Sequence, residues 1–140
     1  ARTPMPWNAE GAHGGFSEAR PWLPVAMEHL ESAVSEQDRD PESMLAFYRR
    51  MIAFRKAWTP LVKSSMEVLD ADPGFLSLMR AHGGTRIWCG FNLSAEPRPI
   101  TLPEGTWRFD RGAPFELREG TDGADAVLPP WQACYATDQQ

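Results

Sequence analysis

The sequence predicts a mostly β fold: an antiparallel β-sandwich toward the C-terminal end, preceded by a long loop and one amphipathic helix. Three observations carry this. Prolines and glycines interrupt residues 1–40, apolar residues recur every three or four positions over 41–57, and from about residue 65 short strand-like runs alternate with turn residues.

In the first stretch Pro4, Pro6, Pro21 and Pro24 remove backbone donors, and Gly11, Gly14 and Gly15 supply turn freedom. Met5, Trp7, Phe16, Trp22, Leu23 and Val25 lie between them. So many large apolar groups do not belong to a disordered tail. The pattern is that of a loop pinned onto a larger body, and loops of this length are often functional. Residues 26–34 are compatible with a short helical patch.

The helix over 41–57 takes Asp40 as its N-cap, Pro41 as its first residue and Glu42 at the positive end of its dipole. Met44, Leu45, Tyr48, Met51, Ile52 and Arg55 recur at spacings of three and four, and Phe47 and Phe54 widen the stripe. Arg49, Arg50, Arg55 and Lys56 collect toward the C-terminal half, and Pro60 ends the element. This broad stripe has no obvious mate elsewhere in the chain.

The strand-like runs are Met66–Leu69, Phe75–Arg80, Arg86–Asn92, Pro99–Leu102, Trp107–Asp110 and Val127–Thr137, separated by Asp-Pro-Gly, Gly-Gly, Ala-Glu-Pro and Pro-Glu-Gly turns. Short strands at this spacing favour a sandwich. Ala-His-Gly-Gly occurs at 12–15 and again at 81–84, without flanking similarity that would make it a repeat.

Composition narrows the function. With 140 residues and 42% apolar content the chain can bury a core, and 14 Lys+Arg against 19 Asp+Glu leave a net charge of -5. No basic cluster invites nucleic acid. No apolar run approaches the roughly 20 residues that span a bilayer, so no membrane partner is expected. There is no signal-peptide core, and the absence of an initial Met fits an excised chain. Cys89 and Cys134 read as buried free thiols of a cytoplasmic protein. His13, His29 and His82 lack zinc-ligand spacing, and neither a metal nor any other cofactor is expected. Asn92-Leu93-Ser94 matches a glycosylation sequon but, without a secretory signal, reads as chance.

The segments Arg2-Thr3-Pro4-Met5-Pro6-Trp7, Gly15-Phe16 and Pro21-Trp22-Leu23-Pro24-Val25, followed by Phe47-Tyr48-Arg49-Arg50-Met51-Ile52-Ala53-Phe54-Arg55-Lys56, resemble the α-glucosidase and oligo-1,6-glucosidase branch of the α-amylase family, glycoside hydrolase family 13. The resemblance implies that residues 1–60 are the terminal part of a catalytic (β/α)8 barrel, its late loop and last helix. Residues 61–140 would be the antiparallel C-terminal β domain. In such barrels the active site is built at the C-terminal ends of the strands. The family's chemistry is retaining, with two carboxyl groups about 5–5.5 Å apart. The family's three catalytic motifs lie upstream, and none is matched in this chain. The sequence departs from the family pattern at Pro6, where Gln is common, and at Asn8, where Asp is frequent.

The resemblance makes Arg2 and Trp7 the candidate substrate-binding residues. A guanidinium suits bidentate contact with carboxylates or sugar hydroxyls, and an indole offers an apolar wall. Against these stand a structural ion pair for Arg2 and a buried loop anchor for Trp7. Trp22, between prolines, reads as an anchor. Glu10, Glu18, Glu116 and Glu119 lack any supporting motif, so no catalytic residue is expected in the chain. Arg49, Arg50 and Arg55 read as a solvated helix face, and Trp88, Trp107 and Trp131 as sandwich core rather than sugar platforms. The expectation is part of a retaining α-glucosidase that releases terminal α-linked glucose from short oligosaccharides or disaccharides. The rest of the barrel is its partner, and the chain alone would be inactive. The alternatives are a transglucosylase, sucrose isomerase or trehalose synthase of the same family, or a non-catalytic carbohydrate-binding or structural β module.

Overall fold

The computed structural model describes residues 2–109 and 126–139; Glu116, Glu119 and the Asp110 end of one expected strand lie outside them. The chain packs as two units, Ala1–Arg50 and Met51–Gln140, with the boundary inside a helix.

In the first unit the loop is pinned by its own backbone. Trp7 and Asn8 both donate to the Gly14 carbonyl, at 2.7 and 3.0 Å, and Gly14 donates to Gly11 at 3.0 Å. Gly14 sits at φ +68°, where an added Cβ would meet Leu30 and Pro6 at 3.3 Å, so both its conformation and its packing require glycine. The expected helical patch exists as a 3-10 segment, Met27–Ser32, followed by the short helix α1, Val34–Gln37. The first two N–H groups of α1 have no intrahelical acceptor. Val34 and Ser35 donate instead to the carbonyls of Pro6 and Trp7, both at 3.1 Å, fastening the start of the loop to its end.

Helix α2 runs Met44–Ala57 and begins three residues later than the sequence suggests. Asp40 does not cap it. The Asp40 carboxylate accepts from Glu42 N–H at 2.9 Å, and Ser43 N–H donates to the Asp40 carbonyl at 3.1 Å, so Pro41 sits in a turn. The cap is Ser43, whose hydroxyl oxygen accepts from Ala46 N–H at 3.2 Å and whose carbonyl accepts from Phe47 N–H at 2.9 Å. Arg49 pairs with Asp38, and Arg50 donates to the Pro41 carbonyl, so this face is tied to the preceding turn as well as solvated.

In the second unit a further short helix, α3 (Thr59–Lys63), follows the end of α2, with Pro60 opening it rather than only closing the helix before. The strands are β1 (Met66–Asp72), β2 (Phe75–His82), β3 (Thr85–Asn92), β4 (Arg98–Ile100), β5 (Arg108–Phe109), β6 (Ala126–Leu128) and β7 (Ala133–Gln139). Five form one antiparallel sheet in the order β1-β2-β3-β7-β5, and β4 pairs with β6 in a second, two-stranded sheet. The expected run Val127–Thr137 is two strands. Pro129 and Pro130 cannot donate to a ladder, and Trp131 takes φ +58° before β7 begins.

The large sheet is covered on both faces. On one, Phe75, Met79, Trp88, Cys134 and Ala136 pack against Ile100, Ala126 and Leu128 of the small sheet. On the other, Ile87 and Cys89 pack with Phe54 and Leu61, flanked by Met51, Trp58 and Tyr135. The C-terminal half of α2 therefore does have a mate in the chain: the outer face of the sheet. Phe54 and Tyr135 stand 4.9 Å apart between ring centres.

Candidate functional site

The loop that carries the sequence motif encloses a cleft of about 610 Å³ lined by His13, Arg20, Pro21, Trp22, Met27 and Leu30 among others. Its walls are set by local geometry: the Gly11–Gly14 turn, the prolines at 21 and 24, and the 3-10 segment behind them. Neither Arg2 nor Trp7 lines this cleft. Arg2 is exposed, and the Trp7 ring is half-exposed while its backbone is held by Gly14. Trp22 is not the anchor expected of it; its side chain is 96% exposed and forms part of the cleft rim. Glu10 and Glu18 are exposed, each in a separate turn.

The aromatic residues of the β unit divide. Trp88 is fully buried, and Trp107 is half-buried with its Nε1 donating to the Pro103 carbonyl at 2.6 Å. Trp131, expected in the core, is 69% exposed. Gly90 exists for Trp88: an added Cβ would lie 2.2 Å from the indole Cη2, so the ring lies flat where a side chain would otherwise be.

The sequon has a structural use. The Asn92 side chain is buried; its Nδ2 donates to the carbonyls of Glu96, Leu128 and Pro129 at 2.8, 3.1 and 2.9 Å, and its Oδ1 accepts from Ser94 N–H and hydroxyl. The two cysteines are free and buried. Cys89 stands opposite Tyr135 and Cys134 opposite Gly90, so the thiols point to opposite faces of the sheet and cannot meet. Burial pushes both thiols up to about 12, which leaves them poor nucleophiles.

Two features escaped the sequence reading. Arg86 and Asp138, opposite each other on β3 and β7, form a largely buried ion pair, with the guanidinium 5.1 Å from the centre of the Trp107 ring. A second cleft, of about 490 Å³, opens in the β unit beside Asp70, Asp72 and Arg98. Among the described residues no group of three or more His, Cys, Asp or Glu side chains is placed to hold a metal ion, and no helix is long and apolar enough to cross a membrane.

The α-amylase catalytic domain model matches residues 1–64. A probable α-glucosidase of Rhizobium meliloti is 39% identical over 135 residues, covering 96% of this chain and 24% of the relative. An oligo-1,6-glucosidase of Halalkalibacterium halodurans is 38% identical, covering 95% and 24%. Among solved structures, an α-glucosyl transfer enzyme superposes with a TM-score of 0.83 at 35% identity over 99% of this chain and 25% of that one. The trehalulose synthase MutB of Pseudomonas mesoacidophila does so with a TM-score of 0.77 at 27% identity, covering 97% and 25%. The chain belongs to the α-amylase family of glycoside hydrolases, and its β unit is the family's antiparallel C-terminal β domain. It spans about a quarter of the length of the curated relatives it matches.

Proposed function

We propose that the chain is part of a retaining α-glucosidase that releases terminal α-linked glucose from short oligosaccharides or disaccharides. The observation that carries this reading is the Arg2–Val25 motif set in a chain that aligns over 96% of its length with a probable α-glucosidase. Residues 1–60 contribute the late loop and last helix of the catalytic barrel, and residues 61–140 contribute the C-terminal β domain. The exposed Arg2 guanidinium and the half-exposed Trp7 ring belong at the rim of the substrate pocket, where they offer donors and an apolar wall to a sugar. Glu10 and Glu18, exposed and in separate turns, do not supply the pair of carboxyl groups that retention requires. The carboxylates come from the remainder of the barrel, which is the chain's partner along with the α-glucoside, and the 140-residue chain by itself is inactive. A cytoplasmic location is part of the same proposal, and it is supported by two cysteines that are buried and unpaired.

A second reading, transfer of the glucosyl group to another sugar or isomerisation rather than transfer to water, is favoured by the solved structures of a glucosyl transfer enzyme and a trehalulose synthase among its likenesses. One assay addresses both. The full-length protein should release p-nitrophenol from p-nitrophenyl α-glucoside, while the 140-residue chain should release none above buffer. With sucrose or maltose as substrate, free glucose as the main product supports hydrolysis; new disaccharides or longer saccharides support transfer. Turnover by the 140-residue chain would sink the division of labour proposed.

A further inference from the structure

Four consecutive backbone polar groups around Trp7 are held from two sides. The Pro6 and Trp7 carbonyls accept from Val34 and Ser35 N–H, each at 3.1 Å, and Trp7 and Asn8 N–H donate to the Gly14 carbonyl. Pro6 has no N–H to leave unmet, and its ring fixes φ one residue before Trp7. The two sides are built differently. Val34 and Ser35 open α1, so their N–H groups have no acceptor inside the helix and are free to reach outward. On the other side His13, Gly14 and Gly15 take φ of 51°, 68° and 68°, a left-handed run that His13 enters at a cost. Such a turn persists because its surroundings over-determine it, and here two donors grip the Gly14 carbonyl.

The side chain on this clamped backbone is not buried. A ring that only anchored the loop would be, yet the Trp7 indole is 52% exposed. What the clamp fixes is the direction in which the indole leaves the chain. We propose that Val34 and Ser35 are positioning residues for Trp7, their N–H groups holding the indole as a preset wall against the sugar. This inference rests on the rim role proposed above for Trp7. A wall in place before binding loses less freedom when the sugar arrives, so it strengthens binding without touching the reacting atoms. Loosening it raises KM and leaves kcat unchanged.

The test follows consumption of maltose by the full-length enzyme, which reads hydrolysis and transfer alike. Val34→Pro is the discriminating variant. Proline suits the first position of a helix, and Ala33 before it already has φ -60° and ψ 150°, the conformation a following proline favours. The variant therefore keeps α1 and removes the one N–H that reaches Pro6. It should raise KM roughly three- to tenfold, the effect of one lost hydrogen bond, with kcat and thermal midpoint close to wild type. Val34→Ala, which keeps the N–H, should have the wild-type KM. Trp7→Ala should raise KM too, and adding Val34→Pro to it should change nothing further, because the wall is gone. A lower thermal midpoint with KM unmoved, or additive effects in the double variant, overturns the proposal. If Val34→Pro does not fold, hydrogen exchange of the unliganded wild type decides. The amides of Trp7, Asn8, Val34 and Ser35 should exchange about tenfold or more slowly than those of residues 17–20, and equal rates overturn the clamp. An enzyme that consumes no maltose fails the proposed function and takes this inference with it. An active enzyme in which Trp7→Ala raises KM and Val34→Pro does not fails the positioning role alone.

Discussion

Asn92 is a sequon residue in the sequence and a tie between segments in the fold. Its amide joins the end of β3 to the turn at Glu96 and to the carbonyls of Leu128, the last residue of β6, and Pro129, the residue after it. Removing it strands those carbonyls in a buried setting, so Asn92→Ala should lower unfolding free energy by about 2–4 kcal/mol, read from urea denaturation of the chain. The same burial predicts that expression in a glycosylating host leaves the intact mass at Asn92 unmodified. A loss below about 0.5 kcal/mol, the size of an ordinary surface substitution, would show that the network contributes nothing. Part of this was legible: Asn followed two residues later by Ser is the pattern of a side chain bonding its own turn. The carbonyls 36 and 37 residues away were not. Nor was the Arg86–Asp138 pair, whose members are 52 residues apart and meet only through the β3–β7 register. Long-range polar partners leave no local trace.

At the scale of elements, the turns were legible and the faces were not. The Asp-Pro-Gly and Gly-Gly turns lie where expected, with Gly74, Gly83 and Gly84 all at positive φ. The helix start is not legible because Asp40-Pro41 is as good a signal for a turn as for a helix, and only tertiary context chooses between them. Ser43→Ala tests the assignment directly. It should cost about 1 kcal/mol through loss of the cap, seen as a lower midpoint in denaturation followed by circular dichroism, whereas Asp40→Ala should cost less. The reverse order would restore Asp40 as the cap. The inward face of β3 could not be read from its alternation for a physical reason. Ile87 and Trp88 are both fully buried, since one faces the helices and the other the small sheet. A strand buried on both sides has no polar phase, and for the same cause the mate of α2 stayed hidden. The Leu69 bulge has no sequence mark of its own; the motif-bearing loop, by contrast, is legible in its residues alone.

For the molecule as a whole, what remains uncovered is as informative as what is packed. Met44, Tyr48 and Ile52, at successive spacings of four on α2, are 64, 58 and 51% exposed, and form an apolar stripe distinct from the Phe54 side that packs on the sheet. In the first unit Trp7, Phe16, Trp22 and Met27 are each about half-exposed or more. Clusters of large apolar groups on this scale exceed the scattered exposure normal for a monomer and mark surfaces that another body covers. In the proposed enzyme that body is the remainder of the barrel. Without it the 140-residue chain should self-associate at concentrations on the order of 10 µM and bind a hydrophobic dye strongly, as measured by sedimentation velocity and dye fluorescence. Replacing the stripe with Met44→Glu and Ile52→Lys should shift the population toward monomer and reduce the dye signal, because both positions are solvent-facing and contribute no core contact in the β unit. A monodisperse wild-type monomer with little dye binding would mean that these side chains find cover within the chain, and the case for a missing barrel surface would lose its physical support.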